Sequence, residues 1–571
     1  MGALCGSAPS VATPLRRNVA ARREAARGGR EALLQNARMN PLLRRAAGLL
    51  LLLLLTASGP AFAQGPAPES EALAARFPEP AVSYRTPAFE PGHDGVTSNA
   101  ELRTLVHAIA ADATNTSAVK LVQVGSSQTG VPLEALHFSR PAAGAAHPAV
   151  LLIGQQHGDE PAGSEALLVI AQELAHGGLA GLLDRIDVVI LPRANPDGAA
   201  ASKRGTASGI DVNRDHLLLR TPEAQAQAQL VRDFKPVVVV DAHEFAALAR
   251  YVEKFGAAQR FDALIQYAMV ANLPPLVTRA SEEWFRQPLL QALKAQGLSS
   301  EWYYTSSTDP ADKKISMGGV QADTGRNVNG LRNAISFLIE TRGADLGRAH
   351  LLRRVHTHVS AIGSILKSAA ARADDLQKLR RFVDAEVAAL ACRGDMVVEA
   401  AATPSEYPLA MLDPQTGADK TVHVAWDSAL ALTPVLKRTR PCGYWLDADQ
   451  TDAVLRLRAL GVQVQRVDEA GELRGEAYTE TAREFGARAD VRGSIADGGG
   501  VLRVKVALAP ALIDAVAGSY YVGLDQPLAN LVVAALEPDT QNSFVTNRIV
   551  DSVSAGARVL KRPELKMSAM P

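Results

Sequence analysis

The sequence predicts an α/β protein: a mixed, mostly parallel central sheet flanked by helices, followed by a smaller C-terminal domain that is α+β or β-rich. Between about Thr97 and Ser360, short apolar runs alternate with longer periodic stretches, the pattern of strands and covering helices. The runs "PAVLLIG" (148–154), "IDVVILP" (186–192), "KPVVVVDAH" (235–243) and "AISFLIE" (334–340) are almost uniformly hydrophobic rather than alternating, so their strands are expected to be covered on both faces, as in parallel sheets. Beyond Asp395 the pattern changes to scattered β-like runs such as "VLRVKVALA" and "SYYVGL", broken by Gly-rich "ADGGG".

Taken in order, residues 1–63 read as a leader. From Met39, the expected true start, "MNPLLRRAAGLLLLLLLTASGPAFAQ" has a basic start, an apolar core and a small-x-small ending, with cleavage expected after Ala63. That pattern predicts a secreted or periplasmic protein. The apolar stretch is shorter than the roughly 20 residues a membrane span needs, so no stable transmembrane segment is expected. Residues 64–96 form a Pro-rich leading segment and residues 97–360 the α/β domain. Within it "EPAGSEALLVIAQELAHG" (160–177) has Pro161 suited to a first helical turn and Gly177 suited to a stop. Residues 361–394 read as a helical linker, overlapping a long helical stretch over 356–391 that a break could divide, and residues 395–571 as an accessory domain without a chemical motif of its own.

Composition narrows the partners. With 571 residues, 47% of them hydrophobic, the chain can bury a large core, and 60 basic residues balance 60 acidic ones. No net field draws it to nucleic acid or to an anionic membrane, and no basic patch is interleaved with aromatics, so no nucleic-acid partner is expected. Of three cysteines, Cys5 lies in the leader; Cys392 and Cys442 could pair in an exported chain, which spacing alone leaves open.

Ligands of open α/β sheets bind beyond the carboxyl ends of the strands. There the first apolar run is followed by His157 and Glu160, the second by Asn195, Asp197 and Gly198, the third by His243, and the fourth ends in Glu340. Catalytic zinc takes imidazole and carboxylate ligands from three residues, which His157, Glu160 and His243 supply for one Zn2+ per chain. Glu340 is then free for proton transfer. Each residue alone has an ordinary explanation, a helix-start carboxylate for Glu160 or a core histidine for His243; convergence at three strand ends favours the metal. Glu244 should point away from His243, as strand neighbours do, and His356 and His358 are expected at the surface.

On these residues the chain resembles the zinc metallocarboxypeptidases of the carboxypeptidase A type. "HGDE" (157–160), "ANPDG" (194–198), "RGTASGIDVNRD" (204–215), "DAHE" (241–244) and "LIETRG" (338–343) follow the family's motifs in order across about 250 residues. The resemblance implies a carboxypeptidase-like fold and hydrolysis of a C-terminal peptide bond, with a peptide bearing a free C-terminus as substrate. It implies that Arg204 polarises the scissile carbonyl, that Asn213 and Arg214 hold the terminal carboxylate, and that Asp211 accepts from the outer nitrogen of His157. A tyrosine that closes over the substrate is also implied. Tyr303 and Tyr304 are the candidates, ahead of a polar, Gly-rich loop expected to rim the site, in which Asn327, Asn329 and Arg332 could reach substrate but read first as solvated.

"HGDEPAG" also resembles the metal motif of amidases that act on murein peptides, which is the alternative reading. Deacylases of the aspartoacylase type share only the opening motif, and a peptide-binding protein without catalysis would not need Glu340.

Overall fold

The computed structural model describes residues 69–115, 118–140, 146–496 and 499–570; the leader, with Met39, Cys5 and the cleavage after Ala63, lies outside them. The central sheet has eight strands: β1 (Ala118–Ser126), β2 (Pro132–Ser139), β3 (Ala149–Gly154), β4 (Asp187–Leu191), β5 (Val238–Phe245), β6 (Ala263–Tyr267), β7 (Ser300–Trp302) and β8 (Ile335–Arg342). Their order is β1-β2-β4-β3-β5-β8-β6-β7. The four strands read from the apolar runs, β4-β3-β5-β8, are its parallel centre. β1, β2 and β6 join antiparallel at the flanks. Every residue of β3, β5 and β8 is buried, as their uniform hydrophobicity requires.

Helices cover both faces. On one lies α2 (Ala162–Ala175), nearly all of it buried because it is held between the sheet and the longer α6 (Leu351–Ala371). α2 starts directly after Pro161 and ends before Gly177. Where its first turn crosses β5, a side chain on Gly163 would lie 2.8 Å from the Ala242 carbonyl oxygen. On the other face lies α3 (Pro222–Phe234), capped by Thr221. The helical stretch expected over 356–391 is two helices, α6 and α7 (Ala373–Ala389), broken at Arg372.

The two histidines of α6 are not at the surface. His356 is 8% exposed and His358 fully buried. Packing explains the difference: α6 is clasped by α2, by the helix Gln287–Ala295 and by β8, so residues two apart both meet protein. His356 Nδ1 lies 2.7 Å from the Tyr84 hydroxyl, while His358 Nε2 lies 3.1 Å from the carbonyl oxygen of His243.

A β-rich C-terminal region follows. Strands β9 (Asp395–Leu412) and β10 (Asp419–Thr439) form a long hairpin, largely exposed along its length. A seven-stranded antiparallel sheet is built around β11 (Gly471–Gly486) and β12 (Val501–Ala515). Its covering residues Tyr444, Val454 and Leu531 belong to the same apolar cluster as Val150 and Phe337 of the central sheet. Cys392 and Cys442 are disulfide-bonded, tying the end of the helical stretch to the start of this sheet. Residues 69–96 strap the other side: the buried Glu165 of α2 accepts hydrogen bonds from the hydroxyls of Thr86 and Thr97 and from the Thr97 N–H.

Candidate active site

Four strand ends do meet at one edge of the sheet. β5 and β8 are paired in parallel with Glu340 opposite His243, so both side chains leave the same face. β3 ends at Gly154, in register with Ala242, and a turn through Gln155, at positive φ, delivers His157. That turn needs glycine next: a Cβ on Gly158 would lie 1.9 Å from the carbonyl carbon of Gly198, so the "HGDE" and "NPDG" backbones pack directly on each other. Asn195 secures the second turn by accepting from Gly198 N–H at 2.9 Å and donating to the Gln156 carbonyl at 3.1 Å.

His157, Glu160 and His243 form a buried trio whose candidate ligand atoms all lie within 4.8 Å of one another. The Nδ1 atoms of His157 and His243 each approach a different oxygen of Glu160, both at 2.9 Å, and stand 3.0 Å apart. The outward nitrogens meet carboxylates: His157 Nε2 lies 3.1 Å from Asp211 Oδ1, and His243 Nε2 2.9 Å from Asp241 Oδ1. An Nε2–H donated outward leaves each Nδ1 lone pair directed inward. Two imidazole nitrogens and one carboxylate on a single small space, with their tautomers set from behind, fit a zinc ion.

The charges are strongly perturbed. Burial pushes the Glu160 carboxyl up, but the charge and hydrogen bonds of the two histidines outweigh it and hold its pKa well below the usual range. Asp211 is likewise held far down against burial by Arg204 and His157. Glu340 moves the other way: burial, and next the charge of Glu160, raise its pKa. Its carboxyl is 9% exposed, and no hydrogen bond is recorded for it among the described residues. Burial pushes His216 down to about 4; its Nε2 lies 2.8 Å from Gln156 Oε1, and Gln156 Nε2 donates to Asp241 at 2.6 Å.

Arg204 lies across the trio from the sheet. Its Nε donates to Asp211 at 3.0 Å, and its Nη1 comes within 3.3 Å of Glu160. Asn213 is held by the scaffold, accepting from Gly325 N–H at 2.8 Å while its amide nitrogen lies 3.1 Å from His243 Nε2. Arg214 donates through Nε and Nη2 to Asp490 and through Nη1 to the Asn213 carbonyl, leaving its remaining N–H groups for the cavity. Glu244 points away, as expected of a strand neighbour, and pairs with Arg354 at 2.6 Å.

The tyrosines separate. Both line the cavity, but Tyr303 lies beside Gly318 with its ring 5.6 Å from the Arg326 guanidinium, whereas the more deeply buried Tyr304 packs edge-on to Tyr251 and tilted against Trp426. The loop after them is ordered from inside: Asn327 is fully buried, accepting from Met269 N–H and donating to the Gly319 and Gln321 carbonyls. Asn329 and Arg332, expected in solvent, are buried as well, because Gly325–Leu331 forms a helix packed onto β5 and β8.

Other residues in or behind this cavity of about 180 Å³ escaped the sequence reading. Asp241 carried a usable signal, since it stands two residues before His243 on the same face of β5. Asp490, Val491 and Arg492 carried none. They form the tip of a small hairpin, Ala489–Asp490 with Gly493–Ser494, inserted between β11 and β12, and Val491 and Arg492 line the cavity. Backbone hydrogen bonds from Asp211 N–H to the Ala496 carbonyl and from Thr308 N–H to the Arg492 carbonyl hold the hairpin there.

The chain is similar to known proteins. Residues 106–347 match the zinc carboxypeptidase family. Carboxypeptidase 2 of Trichophyton rubrum is 29% identical over 409 residues, 70% of this chain and 74% of that protein. Carboxypeptidase SOL1 of Arabidopsis thaliana is 34% identical over 148 residues, 23% of this chain and 30% of that one. Among solved structures, carboxypeptidase A from Helicoverpa armigera is 17% identical with a TM-score of 0.38, over 53% of this chain and 80% of that one.

Proposed function

Because this chain carries a zinc carboxypeptidase domain over residues 106–347, we propose that it hydrolyses the last peptide bond of peptides with a free C-terminus, using the cluster around His157, Glu160, His243 and Glu340. The observation that carries the reading is that cluster: three buried ligand atoms facing one another, with an unbonded carboxyl on the neighbouring strand. His157, Glu160 and His243 would hold the metal. Bound there, zinc supplies a Lewis acid that polarises the scissile carbonyl and acidifies water.

The other steps belong to side chains. Glu340, raised in pKa and free of hydrogen bonds among the described residues, takes the proton of the attacking water and delivers it to the leaving amine. Arg204, held by Asp211 beside the trio, offers fixed N–H donors to the oxygen on which negative charge develops. Arg214, braced by Asp490, presents its remaining N–H groups to the terminal carboxylate. Of the two candidates, both of which line the cavity, the more exposed Tyr303 is assigned to cover the bound residue. An exported, oxidising location is supported by the leader-like sequence and by the Cys392–Cys442 disulfide, and no helix among the described residues is long and apolar enough to cross a membrane.

The test compares peptides with free and amidated C-termini, with and without a chelator. Glu340→Gln should lower kcat about 10²- to 10⁴-fold while zinc content is unchanged. Equal cleavage of amidated peptides, or of wall-derived peptides regardless of their C-terminus, would replace this reading with the amidase one.

A further inference from the structure

Five arginines line the active-site cavity: Arg204, Arg214, Arg250, Arg326 and Arg492. Two have carboxylate partners, Arg204 with Asp211 and Arg214 with Asp490. For the other three no ion pair is recorded among the described residues. Arg250 donates to the Ser306 carbonyl at 2.6 Å. Arg326, 3% exposed, donates from Nη2 to the Gly319 carbonyl at 2.9 Å, and its Nε is buried without a partner. Arg492 sits at the hairpin tip with its backbone engaged by Asp490 and Thr308, and no hydrogen bond is recorded for its guanidinium.

The acids around the cavity do not make up the difference. Glu160 belongs to the candidate metal trio, Glu244 is paired with Arg354, and Asp159, which also lines the cavity, acts on Arg204; Asp323 and Glu340 act on Arg326, and Glu340 and Asp490 on Arg492, only at longer range. A guanidinium withdrawn from water without an anion is costly, and crowding cations together adds to that cost. Burial holds the Arg326 pKa below its ordinary value, and the charge of Arg204 and then burial do the same for Arg492. A C-terminal residue brings one main-chain carboxylate, which Arg214 can take. An apolar side chain beside it would leave the remaining guanidinium groups uncompensated, and a basic one would be repelled.

We propose that the residue released is acidic, glutamate or aspartate, with its side-chain carboxylate received by Arg326 from the central domain and Arg492 from the C-terminal hairpin. The proposal rests on the carboxypeptidase reading and deepens it. Specificity is then shared between two parts of the chain that are more than 160 residues apart in sequence.

The experiment uses the full zinc-loaded protein and a series of blocked peptides that differ only in their last residue: Glu, Asp, Gln, Leu and Lys. kcat/KM for Glu or Asp should exceed that for the neutral isostere Gln by about tenfold or more, and Arg492→Gln should reduce that ratio by about tenfold. Arg326→Lys, which keeps the buried charge, should shift the Glu-to-Asp preference. Equal rates on Gln, Leu and Glu, or a ratio unchanged in Arg492→Gln, would overturn the proposal. Calorimetric binding of the same peptides to Glu340→Gln separates the two readings. Preferential binding of the Glu peptide with no turnover by the wild type would sink the carboxypeptidase function and keep the anion site, whereas turnover without acidic preference would do the reverse.

Discussion

At the residue scale, each histidine of the candidate metal site works as a two-ended group. His243 turns Nδ1 to Glu160 and Nε2 to Asp241, which is itself held by Gln156. Removing the charge at Asp241 weakens the pull on the Nε2 proton without emptying the position. Asp241→Asn should therefore lower zinc affinity about 10- to 100-fold in competition with a chelating dye, with the fold retained; unchanged affinity would mean that Asp241 does not set the imidazole's tautomer. The residues that could be read from the chain at this scale were those following apolar runs, because a strand end exposes its next polar residues to the site whatever else the protein does. Arg326 and Arg492 could not be read this way. Their significance is a shortage of nearby anions, and no local pattern in "DTGRN" or "DVRGS" reports it.

At the element scale, the hairpin between β11 and β12 is anchored by an acid-sensitive pair. Burial pushes the Asp490 carboxyl up, but the charge and hydrogen bonds of Arg214 prevail and its pKa lies below the usual value. A carboxylate depressed in the folded state contributes stability that is complete above its unfolded pKa of about 4 and is lost as pH falls through the lower folded value. Proteolysis within residues 487–496 should therefore rise only below about pH 4 in the wild type. Asp490→Asn should show it at neutral pH, with a stability cost on the order of 3 kcal/mol for stripping a buried arginine of its partner; equal protection in both proteins at pH 7 would show that the pair does not hold the hairpin. Elements themselves were readable where a single pattern covered them. Uniform hydrophobicity marked β3, β4, β5 and β8, whereas α6 looked half-exposed because its sequence could not reveal that helices pack on both of its sides.

At the scale of the whole molecule, the C-terminal region shares one apolar core with the central sheet and is tied to it by Cys392–Cys442. The bridge closes a segment of 50 residues containing the β9–β10 hairpin, and loop-closure entropy assigns such a bridge about 4 kcal/mol. A protein with both cysteines replaced by serine should melt well below the oxidised wild type in calorimetry while keeping its kcat at low temperature, since neither cysteine lines the cavity. An unchanged melting temperature would assign the bridge no stabilising part.

The sequence alone determined the α/β class and the parallel centre of the sheet, and it pointed to the candidate metal trio and the carboxyl beside it, because strand periodicity and strand-end chemistry are local properties of the chain. Only the tertiary structure decided that Arg492 lines the cavity while Asp490 braces Arg214 behind it, that Asn213 accepts from the Gly325 N–H, and that three guanidinium groups meet there without carboxylate partners among the described residues. Those outcomes depend on which distant segments share a space and on the balance of charge within it, and that balance exists only once the chain has closed around the site.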